Sequence, residues 1–472
     1  FLASGTRPDG MKVPLRNMQA EALLFREANL PLMSEELKLN SDYDRLIGAQ
    51  TVEWNGEERT VLQLRPVYQD PRREQREQAW RLAAARQLTD RQAINDLWCK
   101  LLQIRLKLAA NAGHPDYRSY RWQQTKRFDY TPQDAARFHQ TIETVVVPAA
   151  ERIYARRRER LGVKALRPWD LDVDPLGRPP LRPFHTIQEL EDRIAAIFMR
   201  VDPELGKYFE TMRSTGQLDL DNRKGKAPGG YCTQLPVIRR PFIFVNAVGI
   251  HDDVQTLLHE CGHAFHVFET SGLPYYPQLE VPTEFAEVAS MGMELLGSPY
   301  LASSQGGFYS EADAARARIE HLEGLILFWP YMAVVDAFQH WAYENPAAAA
   351  DPANLDAKWA ELWNRYMRGV DFSGLEPELA TGWQRKLHIL QIPFYYIEYG
   401  LAQLGAVQIW RNSLQHQAKA VADYRSALAL GGTVTLPELF EAAGARFGFD
   451  EDMLGAAVEL IENTIAKLEI TL

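Results

Sequence analysis

Two histidines four residues apart, with a glutamate directly after the first, constrain this chain more than any other stretch: His259-Glu260-Cys261-Gly262-His263. The run from Val254 to His266 reads as a helix. That sets His259 and His263 one turn apart on one face, where two imidazoles can grip a single zinc ion. Glu260 then flanks the metal, placed to take a proton from zinc-bound water. Two histidines leave a catalytic zinc one protein ligand short, so a third must come from elsewhere in the fold.

The segment Pro282-Thr283-Glu284-Phe285-Ala286-Glu287-Val288-Ala289-Ser290-Met291-Gly292-Met293-Glu294 offers three acids in an otherwise apolar helix. Acids on the inward side of such a helix are costly unless paired or bound to metal. Glu284, Glu287 and Glu294 lie near one face, at i, i+3 and i+10, and spacing does not choose among them. His266 lies about 10 Å along the axis from His259, too far to join both histidines on one ion. It reads as a packed residue or one that braces a ligand. Asp252 and Asp253 open the helix as caps. Cys261 points away from the metal face and suits a small buried position.

Most of the chain carries a helical apolar period, with a small β component. Residues 51–64 hold two β-prone runs around Asn55-Gly56, the dipeptide of a tight hairpin turn. Thr89-Asp90-Arg91-Gln92 reads as a capping box for a long helix that stops at Gly113. Another helix starts at Thr131-Pro132 and is bent or divided at Pro148. Residues 162–187 are a long irregular connection rich in proline, followed by helices from Ile187 to about Ser214. Gly225 to Thr233 reads as a Gly-rich loop or an edge strand beside a short buried strand, Arg240 to Asn246. This pairing suits an enzyme that lays an extended peptide along a sheet edge. The organisation expected is a mainly helical N-terminal lobe over 1–186 and a zinc-binding catalytic region over 187–472, or one interleaved domain.

A formal charge of −10 argues against a general nucleic-acid partner. The strongest basic run, Arg156 to Arg160, is interrupted by Glu159 and reads as a solvated helix face. Three cysteines, Cys99, Cys232 and Cys261, form no disulfide framework and fit a reducing cytoplasm. The first eight residues lack the pattern of a signal peptide. The longest apolar run, Gly324 to Val335, contains Pro330 and is too short to span a bilayer, so no membrane partner is expected.

His-Glu-Cys-Gly-His-Ala-Phe-His followed by Pro-Thr-Glu-Phe-Ala-Glu-Val-Ala-Ser resembles the thimet oligopeptidase and oligoendopeptidase F family of zinc metallopeptidases. Further landmarks are Asn111-Ala112-Gly113, Tyr117-Arg118-Ser119-Tyr120, Leu166-Arg167-Pro168-Trp169-Asp170 and Gly229-Gly230-Tyr231-Cys232. Leu387-His388 and Pro393-Phe394-Tyr395-Tyr396-Ile397-Glu398-Tyr399-Gly400 complete the set. The resemblance implies one zinc ion with Glu287 as third ligand, and Glu294 as an acid beside the ligands. It implies a zincin-like, two-lobed helical metallopeptidase with a deep substrate channel, acting on oligopeptides. The helices that begin the family fold are expected to be missing before Phe1.

Gly229, Gly230, Tyr231 and Tyr395 are implied contacts to substrate. His388 with a tyrosine hydroxyl, Tyr399 ahead of Tyr396, is implied to stabilise the tetrahedral oxyanion. Pro393 is expected in the first turn of a helix, with His388 in the loop before it and Tyr395 and Tyr399 sharing a face. The expected activity is endopeptidase, with Glu260 as general base; carboxydipeptidase action within the family is the alternative. A metal-stabilised peptide-binding protein without hydrolysis would show a broken ligand set or lack Glu260, and neither is seen. The Gly-x-Met-x-Asn strand of aminopeptidases and the His-Glu-x-x-x-Arg segment of Taq-type carboxypeptidases are both absent.

Overall fold

The computed structural model describes residues 5, 7–223, 226 and 229–472. Phe1–Ser4 and Thr6 of the opening stretch, with Gly225, Ala227 and Pro228 of the Gly-rich loop, lie outside the described residues. The chain is 69% helical with two small sheets, in keeping with the mainly helical class expected. It forms two compact units, Ala20–Pro180 with Leu327–Ile397, and Phe1–Gln19 with Leu181–Ile326 and Glu398–Leu472. The units are interleaved in sequence.

In the unit beginning at Ala20, strands β1 (Thr51–Trp54) and β2 (Glu57–Thr60) pair antiparallel. Asn55 and Gly56 take φ of 55° and 81°, the left-handed geometry a two-residue hairpin turn demands. β2 ends at Thr60, short of the expected Leu64. The Thr60 hydroxyl accepts the Gln63 N–H, and the Gln63 side chain accepts the Thr60 N–H, starting a 3-10 helix over Val61–Gln69. Trp54, Leu64, Ala79 and Ala83 form the small core beneath.

The helix Arg91–Asn111 buries Leu97, Trp98, Leu101 and Leu108, as its period predicts. Its expected capping box does not form. Thr89 closes the preceding helix, Arg73–Thr89, and the Asp90 carboxylate is taken by Gln50 and Arg86. Thr131 and Asp134 do form a box, on the helix Pro132–Thr141. A π turn over Ile142–Val146 then leads into Val147–Leu161, placing Pro148 in a first turn where its missing N–H costs nothing. The basic run on that helix is not wholly solvated, since Arg157 donates to the carbonyls of Asp170 and Val173. The irregular connection is held at Asp170, which is fully buried and accepts from Arg73, Arg76 and the Arg167 N–H.

In the other unit, Asp202 ends the helix Ile187–Val201 and caps the next, Pro203–Ser214, by accepting from the N–H groups of Glu204 and Leu205. Strands β3 (Leu218–Asp221), β4 (Tyr231–Leu235) and β5 (Arg240–Ala247) form a sheet in the order β3-β5-β4. β3 runs parallel to β5, and β4 antiparallel. The strand expected to be buried, Arg240 to Asn246, lies within the central β5, and the segment after Gly229-Gly230 forms the edge strand β4 beside it. Both edges of β5 are already paired, and the outer edges of the sheet belong to β3 and β4. Among the described residues no helix is long and apolar enough to cross a membrane.

Candidate metal centre

The helix His251–Thr270 begins where the Asp253 carboxylate accepts three successive N–H groups, from Val248, Gly249 and Ile250, at 2.8, 2.8 and 3.0 Å. This ties the loop entering the helix, and its N-cap Ile250, to the helix's first turn. Val254, Leu257, Leu258, Cys261 and Phe265 bury one face. His259 and His263 sit half-buried with ring centroids 5.0 Å apart.

Gly262 decides what faces them. A β-carbon there would lie 2.4 Å from the Ala289 carbonyl oxygen and 2.5 Å from Ser290 Cα, so the helix Thr283–Gly297 crosses in direct backbone contact. Tyr424 anchors the same carbonyl from behind, its hydroxyl donating to Ala289 O at 2.7 Å.

That crossing carries Glu287 to the histidines. Its Oε2 lies 3.4 Å from His259 Nε2 and 3.7 Å from His263 Nε2. Ligands about 2.1 Å from a tetrahedral ion sit roughly 3.4 Å from one another, so two nitrogens and one oxygen at these separations fit zinc. The three are the one group of this kind among the described residues. Ser290 braces the carboxylate, its hydroxyl within 3.1 Å of Glu287 Oε2.

Glu294, one of the three acids the spacing allowed, sits behind the ligands. It accepts from His259 Nδ1 at 2.6 Å and from His321 Nε2 at 2.9 Å. This fixes the tautomer in which His259 turns Nε2 toward Glu287. Burial opposes the charge on Glu294, yet the two imidazoles hold its carboxyl at about 2. Burial also works against a charged His259, but Glu287 and Glu294 overcome it and hold that ring well above its ordinary value. His263, with burial dominant, drops to about 4. Carboxylates converging on ring nitrogens make a seat for a cation.

Glu260 is buried beside this group, and burial raises its carboxyl above the usual range against the pull of His259 and a bond from the Cys232 N–H. Glu284 is buried outside the ligand group. His266 is packed against Phe285, ring to ring at 6.1 Å, and burial lowers it to about 3. Cys261 is fully buried. On the sheet, Tyr231 is half exposed and stacked on Phe244 at 5.1 Å. Gly229 takes φ of +100°, and its carbonyl accepts from Asn246 Nδ2 at 3.0 Å.

In the unit beginning at Ala20, His388 lies in a one-turn helix, Leu387–Leu390, rather than a loop. Pro393 does not open the next helix, which starts at Tyr396. Phe394 intervenes at φ +65°, so Tyr395 precedes the helix and does not share a face with Tyr399. The His388 ring lies 4.9 Å from that of Tyr396 and 5.9 Å from that of Tyr395. Tyr396 is buried, and its hydroxyl oxygen accepts from Lys386 Nζ at 2.7 Å. Tyr395 and Tyr399 are half-buried.

His321 and Lys386 carried no sequence signal, because each meets its partner only through packing. Gly262 did carry one: a glycine inside a strongly apolar helix marks close approach of another backbone.

A family model described as "Peptidase family M3" matches residues 67–459. The oligoendopeptidase F homolog of Lactococcus lactis subsp. lactis (strain IL1403) is 22% identical over 329 residues, covering 68% of this chain and 52% of that protein. The oligopeptidase PepF of Bacillus subtilis (strain 168) is 22% identical over 323 residues, covering 68% and 47%. The chain thus spans about half the length of the curated relatives it matches. Among solved structures, one titled "PZ peptidase A with inhibitor 2" superposes with a TM-score of 0.89 and 31% identity, over 97% of this chain and 80% of that one.

Proposed function

The chain belongs to peptidase family M3, and on that footing we propose that it is a zinc-dependent endopeptidase hydrolysing internal bonds of short oligopeptides. The observation that carries this reading is the meeting of His259, His263 and Glu287, with Glu260 next to the first ligand in sequence. A bound zinc ion would supply Lewis acidity toward the scissile carbonyl and toward water.

The chain's own residues do the rest. Glu260 takes the proton of the attacking water and passes it to the leaving amine. Its burial raises the carboxyl, making it a stronger base, and the Cys232 N–H holds its orientation. Glu294, backed by His321, keeps His259 in the ligating tautomer. His388 and Tyr399 stabilise the oxyanion; Tyr399 is favoured over Tyr396 because Tyr396 is buried and Tyr399 only half-buried. The outer edge of β4, with Gly230 and Tyr231, binds the peptide backbone and so asks little of its side chains. Three free cysteines support a reducing, cytoplasmic setting.

The test is zinc content together with cleavage of a quenched-fluorescence oligopeptide, with and without a chelator. Stoichiometric zinc and chelator-sensitive cleavage are expected; a zinc-loaded chain that cleaves nothing sinks the reading. Peptides with blocked C-termini are expected to be cut as well as free ones, and a requirement for a free C-terminus would establish the carboxydipeptidase alternative.

A further inference from the structure

The five residues from Leu390 to Phe394, between His388 and Tyr395, form no regular element beyond the end of a single helical turn, yet their backbone is held by charged side chains from far along the chain. Arg105, fully buried on the helix Arg91–Asn111, donates to the Leu390 carbonyl. Arg121, on the helix Tyr117–Gln124, donates to the Pro393 carbonyl at 3.2 Å, and Arg127 donates to the Phe394 carbonyl. Gln339, also fully buried, accepts the Phe394 N–H at 2.7 Å.

Phe394 itself has φ +65°, a conformation a bulky side chain rarely adopts. Its ring is fully buried, within 5.1 Å of His340, 5.4 Å of Tyr343 and 5.8 Å of Trp122. Guanidinium groups are expensive to bury, and a strained residue persists only where its surroundings over-determine it. Three arginines spent on the carbonyls of one short connection is more than a turn of this length needs to remain folded.

We propose that Arg105, Arg121, Arg127 and Gln339 are positioning residues, which hold the Leu390–Phe394 backbone so that His388 and Tyr395 stand ready for a peptide substrate. The inference rests on the peptidase reading above. Its logic is preorganisation: a group fixed before substrate arrives costs nothing to fix during the reaction. The reacting groups are reached only through the backbone, so loosening the clamp lowers turnover more than substrate binding.

The test uses the zinc-loaded full chain with Arg121→Ala and Arg121→Lys, Arg121 being the partly exposed member. Five quantities are read: kcat, KM, zinc content, melting temperature, and hydrogen exchange over 387–399. Arg121→Ala is expected to lower kcat roughly 10- to 100-fold. KM, zinc and melting temperature stay close to wild type, and exchange over 387–399 quickens. Arg121→Lys, which keeps a donor for the Pro393 carbonyl, recovers most of the turnover. An Arg121→Ala enzyme whose segment exchanges faster but whose kcat is unchanged overturns this proposal alone, as does a kcat loss that merely follows the melting temperature. A zinc-loaded wild type that cleaves no peptide overturns the peptidase reading itself, and this one with it.

Discussion

Gly262 and Ala289 touch backbone to backbone: a β-carbon on Gly262 would lie 2.4 Å from the Ala289 carbonyl oxygen. The separation of two helices, and with it the reach of Glu287 to His259 and His263, is set at this contact. Gly262→Ala is expected to force the helices apart, costing about 1–3 kcal/mol of stability. Zinc affinity falls as well, because the oxygen can no longer close the ligand set. Denaturant melts with and without zinc check both effects; a variant that keeps wild-type zinc affinity would contradict the assignment.

Glu260 is not one of the three ligating residues, so its removal separates chemistry from metal binding. Glu260→Gln is expected to retain zinc and lose about 10²- to 10⁴-fold in kcat. Zinc analysis of the purified variant beside its cleavage rate decides the matter. Wild-type turnover in a zinc-replete variant would remove Glu260 from the mechanism.

His321 reaches the centre only through Glu294, at 2.9 Å, and Glu294 reaches His259 at 2.6 Å. Glu294→Gln is expected to weaken zinc binding about 10- to 100-fold. His321→Ala acts in the same direction with a smaller effect, since Glu294 keeps its bond to His259. Chelator-competition titrations measure both without reference to activity.

Acid should strike at Asp170. Burial alone would raise its carboxyl, but Arg73, Arg76 and the Arg167 N–H hold it below the ordinary carboxylate value. A depressed folded value contributes stability that is fully present above the unfolded value, about 3.9. That contribution is lost as pH falls through the folded value. Urea melts should therefore show stability flat from neutrality to about pH 5 at this site and declining below about pH 4. Asp170→Asn leaves Arg76 buried without a countercharge, costs about 3–5 kcal/mol at neutral pH, and flattens the acid decline.

What the sequence determined by itself was whatever depends on neighbours along the chain. The one-turn spacing of His259 and His263, the Asn55-Gly56 turn and the helix start at Thr131-Pro132 all follow from local geometry, and each is found as spaced. Where a local pattern had a stronger distant competitor it failed, as at Asp90, whose carboxylate bonds Gln50 and Arg86 instead of capping its helix. Phe394 failed the same way: Gln339 and Arg127 hold it in a left-handed turn, so Pro393 never opens a helix.

Spacing did not decide which acid meets the histidines; the family motif pointed to Glu287, and only the tertiary structure supplies the physical reason. Periodicity puts Glu284, Glu287 and Glu294 near one side of a helix, but it carries no information on what that side faces or at what depth. The close crossing at Gly262 sets the depth, bringing Glu287 to the ring nitrogens and leaving Glu294 one layer behind with His321. The same limit hid β3 on the far side of β5, because strand order is a matter of long-range pairing.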